Sequence, residues 1–186
     1  MRRFDLTEIA QTAALLRSGG VLAYPTEAVF GLGCDPDDHH AFEKVFALKQ
    51  RPPEQGVLLI AADFSQIADW IDAPPAAIAR AQATWPGAHT WIFPRSPRVP
   101  DWLAGAHDGI ALRITAHAPA AALCRAFGGP IVSTSANRHG EPPSRSGDEA
   151  ARIFGEQLDG ILDGPTGGLA RPTPIADALS GAIIRA

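Results

Sequence analysis

The stretch Pro130-Ile131-Val132-Ser133-Thr134-Ser135-Ala136-Asn137 decides how the rest of the chain is interpreted. Its apolar start follows a Gly-Gly turn and predicts a buried strand that opens into a loop. Four small hydroxyl and amide side chains then follow within five residues, where open α/β sheets bind ligands beyond their strand ends. Such neutral donors and acceptors suit phosphate or carboxylate oxygens. The same cluster also fits a helix cap or a turn, so these residues alone leave both interpretations open.

Length, charge and cysteine content limit the classes of protein. The 186 residues suit one domain, residues 1–186. The net charge of −4 gives no overall attraction to nucleic acid or anionic membranes, so an anion site requires a local cluster of cations. Cys34 and Cys124 stand far apart, which excludes a disulfide framework or a zinc site and predicts a reducing, cytoplasmic location. No apolar run reaches the length of a membrane span.

Helical and strand-like patterns alternate along the chain, which predicts an α/β fold. The predicted helices cover residues 5–18, 38–49, 65–71, 75–84, 118–127 and 147–154. The predicted strands cover residues 21–24, 57–61, 89–93, 110–114, 130–132, 160–162, 175–177 and 182–185. Residues 25–35 are predicted as a loop, where Gly31 and Gly33 permit a tight turn or close approach to a ligand. Residues 138–146 and the turn at Gly167-Gly168 are the candidates for a lid.

Three cations are candidate anion ligands. Pro52 disfavours helical backbone at Arg51, and two cations at i and i+2 of an extended chain point the same way. Lys49 and Arg51 therefore make a possible phosphate clamp, although two solvated charges fit the spacing as well. Arg113 stands inside the apolar run 110–114, where burial is costly unless the charge is paired. It lies either on the polar face of the sheet or against an anion in a cavity.

The absence of several catalytic motifs narrows the classes of reaction that the chain could catalyse. The chain has no Walker A sequence, no His-Glu-x-x-His and no nucleophile elbow. The adjacent His39 and His40 have the wrong spacing for a shared metal ion, and Cys124 is typical of a small core residue. Cations, hydroxyls and an amide occur instead near strand ends: Thr26, Lys49, Arg51, Arg113, Ser135, Asn137, Arg145, Thr173 and Arg185. This set suits phosphoryl or nucleotidyl transfer, which depends on positioning and charge neutralisation.

Four stretches, in order along the chain, resemble a known family: residues 24–35, residues 48–52, residues 85–87 with Thr90, and residues 133–137. On these motifs the chain resembles the YrdC family, most closely its single-domain bacterial members, from about Leu15 to the end. Residues 112–115 and the terminal Ile184-Arg185 also fall where the family has equivalents. The resemblance implies a single YrdC-like domain with a twisted mixed β-sheet, flanking helices and a concave cavity on one face.

The resemblance also implies a nucleotidyltransferase reaction. L-threonine, bicarbonate and ATP give L-threonylcarbamoyladenylate and pyrophosphate, and the product serves the N6-threonylcarbamoylation of adenosine 37 in tRNA (t6A). The implied partners are the tRNA threonylcarbamoyl-transfer machinery and, weakly, double-stranded RNA or tRNA. Mg²⁺ would bridge phosphate oxygens. No protein-held metal is expected.

Site roles follow from the family positions. The resemblance gives Lys49 and Arg51 a catalytic role, because they would neutralise charge developing on the phosphates. The implied ATP ligands are Lys49, Arg51, Ser135, Asn137, Arg145 and Arg185. The implied threonine ligands are Thr26, Arg113, Ser133 and Thr173, with the planar fork of Arg113 on the carboxylate. Ala28 departs from the family, where many relatives have Thr, and Ile60 departs from longer relatives, which have His.

Two other functions stay open. A concave basic surface of a double-stranded RNA-binding or ribosome-maturation module would attract RNA through its phosphates. The acidic net charge, and the lack of interleaved aromatic and basic residues, argue against that module. A carbamoyl-transfer relative of hydrogenase maturation would carry further domains, which we do not expect here.

Overall fold

The computed structural model describes residues 1–50 and 56–186. Within these residues, ten strands form one mixed sheet: β1 (Arg2–Phe4), β2 (Leu22–Pro25), β3 (Phe30–Gly33), β4 (Leu58–Ala61), β5 (Thr90–Pro94), β6 (Gly109–Ile114), β7 (Ile131–Ser135), β8 (Gly160–Leu162), β9 (Ile175–Asp177) and β10 (Ile183–Arg185). The helices of the same ranges are α1 (Ile9–Arg17), α2 (His39–Lys49), α3 (Pro75–Gln82), α4 (Asp101–Ala104), α5 (Ala118–Phe127) and α6 (Gly147–Phe154).

The sheet brings together strands that are distant in sequence. Its order is β1-β8-β2-β3-β7-β4-β6-β5-β9-β10. The pairs β1/β8, β2/β8, β4/β6 and β5/β9 are parallel, and the other neighbours are antiparallel. The polar end of β7 therefore lies in the middle of the sheet, between β3 and β4.

Two apolar clusters cover the two faces of the sheet. Along β2, Leu22 and Tyr24 belong to the cluster with α1 and α5, whereas Ala23 belongs to the larger cluster with α2, α3 and α6. This alternation follows from the period of two in a strand, which sends successive side chains to opposite faces. The mixed α/β architecture predicted from the sequence is thus present, with helices on both faces.

Local signals set the helix boundaries. Asp38 caps α2, since its carboxylate accepts a hydrogen bond from the Ala41 backbone N–H at 3.0 Å. The helix ends at Gln50, which has the left-handed backbone (φ 52°) that commonly terminates helices. Ser146 caps α6 in the same way, accepting from the Glu149 N–H at 3.2 Å. These boundaries confirm the predicted ends of both helices.

Several predicted elements were wrong. Strand β3 lies inside the predicted loop 25–35, and α4 is absent from the predicted helices. Strand β1 was not predicted, and residues 64–70 form two 3₁₀ turns instead of one helix. In that segment Ile67 and Trp70 are buried at a spacing of three, the repeat of a 3₁₀ helix.

Glycine explains why β3 has a weak strand signal. A Cβ on Gly33 would lie 2.6 Å from Tyr24 Cε1 and 2.8 Å from the Val132 carbonyl oxygen. The strand therefore packs its bare backbone against neighbouring strands, a close approach that only glycine permits. At Gly33 the close approach is between strands of the sheet, and not the predicted tight turn or approach to a ligand.

Candidate functional site

A cavity of about 720 Å³ lies against the middle of the sheet. Residues of β3, β4, β5, β6, β7, β9 and β10 line it. Along β6, the residues at 109, 111 and 113 line the cavity, whereas Ile110 and Leu112 enter the larger apolar cluster on the other face. Gly109 has no side chain and Ala111 has only a methyl group, which leaves space in this part of the cavity. The cavity volume falls within the usual range for small-molecule sites.

Arg113 is the buried cation of this cavity, with only 4% of its surface exposed. Its Nη1 donates a hydrogen bond to Thr173 Oγ1 at 2.8 Å, and Nη2 lies 3.2 Å from Glu27 Oε2 in an ion pair. Within the described residues, Nε has no hydrogen-bond partner. Of the two positions predicted for Arg113, the structure shows the one in a cavity. The carboxylate of Glu27 offsets the cost of burying the charge.

Arg185 brings a second guanidinium to the same cavity. Its Nη2 donates to the backbone carbonyl of Thr173 at 2.8 Å, so Thr173 contacts both cations. Burial lowers the pKa of Arg185, and the nearby positive charge of Arg113 lowers it further. Two like charges held together this way favour a negatively charged ligand between or beside them.

Hydroxyl groups from two loops and β7 complete the polar wall. Thr26, Ser133, Ser135 and Thr173 all line the cavity. Thr26 Oγ1 donates to the Val29 carbonyl at 2.7 Å, and Ser135 Oγ donates to Asn137 Oδ1 at 2.5 Å. Strand β7 runs through Ser135, so the hydroxyl cluster belongs to the strand itself and not to a loop beyond it.

The structure places Lys49 differently from the sequence-based expectation, which was a cation on a loop or a solvated charge. It is the last residue of α2, and its side chain is buried. Its Nζ donates to the Ser135 carbonyl, to the Asn137 carbonyl at 3.1 Å and to Asn137 Oδ1 at 3.2 Å. Neither Lys49 nor Asn137 is among the residues that line the cavity, and Lys49 supports the wall from behind Ser135. Arg51 lies outside the described residues.

Arg145 stands apart from the other predicted ATP ligands. It is exposed, does not line the cavity, and its Nη2 donates to the Ala170 carbonyl at 3.3 Å. Ser144, beside it, is buried and donates to the Ala136 carbonyl through both its N–H and its hydroxyl. The predicted lid segment 138–146 is therefore attached to the end of β7.

The second candidate for a lid, the turn at Gly167-Gly168, is attached to the loop between β2 and β3. Gly167 N–H donates to the Thr26 carbonyl at 2.9 Å, and Leu169 N–H donates to the Glu27 carbonyl at 3.0 Å. These bonds place the second predicted lid segment directly over the 26–27 backbone. Which segment closes over a ligand stays a prediction.

Two histidines and both cysteines lie outside the set of residues that line the cavity. The side chains of His39 and His40 are half exposed or more and flank Glu43. Cys34 and Cys124 are free and buried, and burial raises the pKa of Cys124 to about 12. Across residues 1–50 and 56–186, no three His, Cys, Asp or Glu side chains are grouped to hold a metal ion. Over the same ranges, no helix is long and apolar enough to cross a membrane.

Sequence reasoning missed several residues of the site. Glu27, buried against Arg113, follows directly after the predicted ligand Thr26, and Thr115 donates to Glu27 Oε1 at 2.6 Å. His107 and Asp108 line the cavity just before β6. The sequence did contain a signal for this pair. Glu27 stands in an apolar motif and Arg113 in an apolar strand, and a buried charge requires a partner of opposite charge.

Comparisons with known proteins agree with this architecture. A chain named threonylcarbamoyl-AMP synthase, from Stenotrophomonas maltophilia, is 58% identical over 175 residues, 92% of this chain and 94% of its own. The synthase of the same name from Halorhodospira halophila is 52% identical over 178 residues, 95% of this chain and 93% of its own. The crystal structure of P. abyssi Sua5 complexed with L-threonine superposes with a TM-score of 0.88 at 30% identity, over 95% of this chain.

This chain spans about half of the Sua5 chain, 53% of its length, so the common part is one region of that longer protein. The matching family model, Sua5/YciO/YrdC, described as telomere recombination, covers residues 14–186. That range includes the strands that line the cavity and both of its described arginines. With the model matched along nearly the whole sequence and the fold shared with Sua5, the chain belongs to the Sua5/YciO/YrdC family.

Proposed function

We propose that this chain is a threonylcarbamoyl-AMP synthase, which joins L-threonine, bicarbonate and ATP into L-threonylcarbamoyladenylate and releases pyrophosphate. The observation that carries the proposal is the pair of guanidinium groups, Arg113 and Arg185, that meet at Thr173 inside one cavity. Near full-length relatives named for this activity, at 52–58% identity, support it. The product serves the t6A modification of tRNA.

The amino-acid end of the cavity is proposed around Arg113. Its planar guanidinium suits the two oxygens of the threonine carboxylate. The neighbouring hydroxyls of Thr26, Ser133 and Thr173 offer donors and acceptors for the amine and the side chain of threonine. Sua5 from P. abyssi has been crystallised with L-threonine, which supports an amino-acid site in this fold.

The nucleotide end is proposed around Arg185 and the β7 terminus. Arg185 and Ser135 line the cavity and would contact the phosphates. Lys49 and Asn137 would act through the Ser135 wall that they support, and Arg145 would join from the rim. Arg51 would complete the set from outside the described residues.

The chemistry follows from this division of the cavity. The threonine nitrogen attacks the bicarbonate carbon, and loss of water gives a carbamate. A carbamate oxygen then attacks the α-phosphorus of ATP, the bond to the bridging oxygen breaks, and pyrophosphate leaves. Fixed cations stabilise the extra negative charge of that transition state without reorganising. Holding the carbamate and the α-phosphate side by side also supplies the entropic part of catalysis.

Mg²⁺ is proposed as a companion of ATP. Because the described residues hold no cluster of metal-ligating side chains, phosphate oxygens and water would supply most of its ligands. Its contribution when bound is to reduce the charge of the triphosphate. Bicarbonate, the tRNA threonylcarbamoyl-transfer partners and a cytoplasmic location are proposals on the same basis.

Pyrophosphate release tests the proposed function. Protein incubated with ATP, Mg²⁺, bicarbonate and L-threonine should release pyrophosphate, and omitting threonine should abolish the release. Arg51→Ala should lose turnover with nearly the same melting temperature, with the exposed Arg152→Ala as a matched control that keeps activity. The absence of threonine-dependent pyrophosphate release from folded protein would refute the proposal.

RNA binding is a separate proposal that is compatible with catalysis. Double-stranded RNA or tRNA retained at low salt and lost at high salt would support it, because phosphate contacts are salt-dependent. Salt-dependent retention of RNA together with no ATP binding would favour the non-catalytic module instead.

A further inference from the structure

Glu27 is a buried carboxylate that reaches the cavity only through another residue. Its side chain is 8% exposed, and it is not among the cavity-lining residues, whereas Arg113 is. Oε2 lies 3.2 Å from Arg113 Nη2, close enough for an ion pair but without the alignment of a hydrogen bond. Glu27 therefore affects a ligand through the guanidinium and not by direct contact.

The position of this carboxylate is itself fixed by its surroundings. Thr115 Oγ1 donates to Glu27 Oε1 at 2.6 Å and accepts the His117 backbone N–H at 3.1 Å. The Glu27 carbonyl accepts from Leu169, and a Cβ on Gly167 would lie 2.9 Å from that carbonyl oxygen. Both the backbone and the carboxylate of Glu27 are thus held before any ligand arrives.

Arg113 is consequently held at two of its nitrogens. Glu27 faces Nη2, and Thr173 accepts from Nη1 at 2.8 Å. A guanidinium has five N–H donors in a rigid plane, so the two contacts fix that plane and leave further donors for a ligand. A carboxylate bound to a preset plane loses less entropy than one that must first order a long side chain.

We propose that Glu27 is the positioning residue of the amino-acid subsite, holding the Arg113 guanidinium so that its remaining donors bind the α-carboxylate of the substrate. This inference rests on the proposed function, because it takes threonine as the ligand of Arg113. It predicts a larger effect on threonine than on ATP, because Glu27 pairs with Arg113, whereas Arg185 contacts the backbone carbonyl of Thr173.

Separate binding measurements on Glu27→Gln test the inference. This variant keeps the size of the side chain but removes the charge that faces Arg113. By calorimetry, the Kd for L-threonine should rise about tenfold, the effect of losing one charge-assisted contact. The Kd for ATP should change by less than about twofold. A purely electrostatic role gives the opposite sign, because the added net positive charge would tighten carboxylate binding.

Two further variants keep the test decisive if Glu27→Gln folds poorly. Thr115→Val removes the hydroxyl that holds Glu27 and should raise the threonine Kd by about threefold, while Glu27→Asp should bind threonine better than Glu27→Gln. Asp159→Asn is the matched control: it breaks the Lys44–Asp159 ion pair, away from the cavity, and should lower stability without changing either Kd.

The outcomes distinguish this inference from the proposed function. An unchanged or lowered threonine Kd in folded Glu27→Gln overturns the positioning role while leaving the synthase activity intact. Wild-type protein that binds neither threonine nor ATP overturns the proposed function, and the inference falls with it.

Discussion

Replacing Lys49 by methionine separates a structural role from a purely catalytic one. Methionine keeps most of the apolar stem of the side chain and removes only the buried ammonium group. If Lys49 served ATP alone, the variant would lose activity and keep its melting temperature. The contacts of its Nζ with Ser135 and Asn137 predict instead that stability falls as well, even with no ligand present.

The magnitude follows from what the lost ammonium leaves behind. Two of the three acceptors among the described residues keep another donor: the Ser135 carbonyl accepts from the Asn137 N–H at 2.9 Å, and Asn137 Oδ1 accepts from Ser135 Oγ. The loss should therefore equal one to two charge-assisted hydrogen bonds, about 2–4 kcal/mol. For a chain of this size that corresponds to a fall in melting temperature of roughly 4–16 °C.

Thermal and urea denaturation without ATP measure this loss. Lys44→Met, on the same helix, is the matched control, because the Lys44–Asp159 pair is partly exposed and should contribute about 1 kcal/mol or less. A Lys49→Met melting temperature equal to that of Lys44→Met would refute the supporting role. Activity of Lys49→Met would then report the catalytic role alone.

Buried groups elsewhere give three more expected outcomes. Arg113→Met should cost about 3–5 kcal/mol, because it leaves Glu27 buried without its cation, whereas Arg113→Met combined with Glu27→Gln should recover most of that loss. Urea denaturation of the four proteins would contradict this if the two losses simply added. Burial lowers the pKa of His117, so the unfolded chain takes up its proton first as pH falls. Stability should therefore decrease from pH 7 to about 5, and His117→Gln should flatten that dependence in urea melts taken at each pH. Burial raises the pKa of Cys34 and Cys124, so neither thiol should react with a thiol reagent at about pH 8 in native protein. Labelling as fast as in denaturant would show that the thiols are accessible.

Sequence patterns were most reliable where one face of an element is buried. The helices α2, α5 and α6 were predicted with nearly correct ends, because caps and apolar periodicity act within a few residues. Strand β3 was missed because half of its residues are glycine, whose role is to let neighbouring backbones approach. Its identity as a strand depends on packing against Tyr24 and Val132, and Val132 lies far from β3 in the sequence.

For the candidate site residues, too, the sequence predicted a part of what the structure shows. Thr26, Arg113, Ser133, Ser135, Thr173 and Arg185 all line one cavity, and their roles as ATP or threonine ligands stay predictions. Lys49 and Asn137 stand behind that wall, and Arg145 does not line the cavity. The set of cations, hydroxyls and an amide near strand ends predicted an anion site, but it could not show which of the cations line the cavity.

The amino-acid sequence by itself determined most of the helices and strands, the motifs of the family and the set of polar residues available for chemistry. Only the tertiary structure decided that Arg113 pairs with Glu27, that Thr173 joins Arg113 to Arg185, and that Lys49 points inward. The physical reason is that each contact joins segments distant in sequence. Which of these residues face one another depends on the order and register of the strands in the sheet, or on the packing of α2 behind β7. Local periodicity encodes neither.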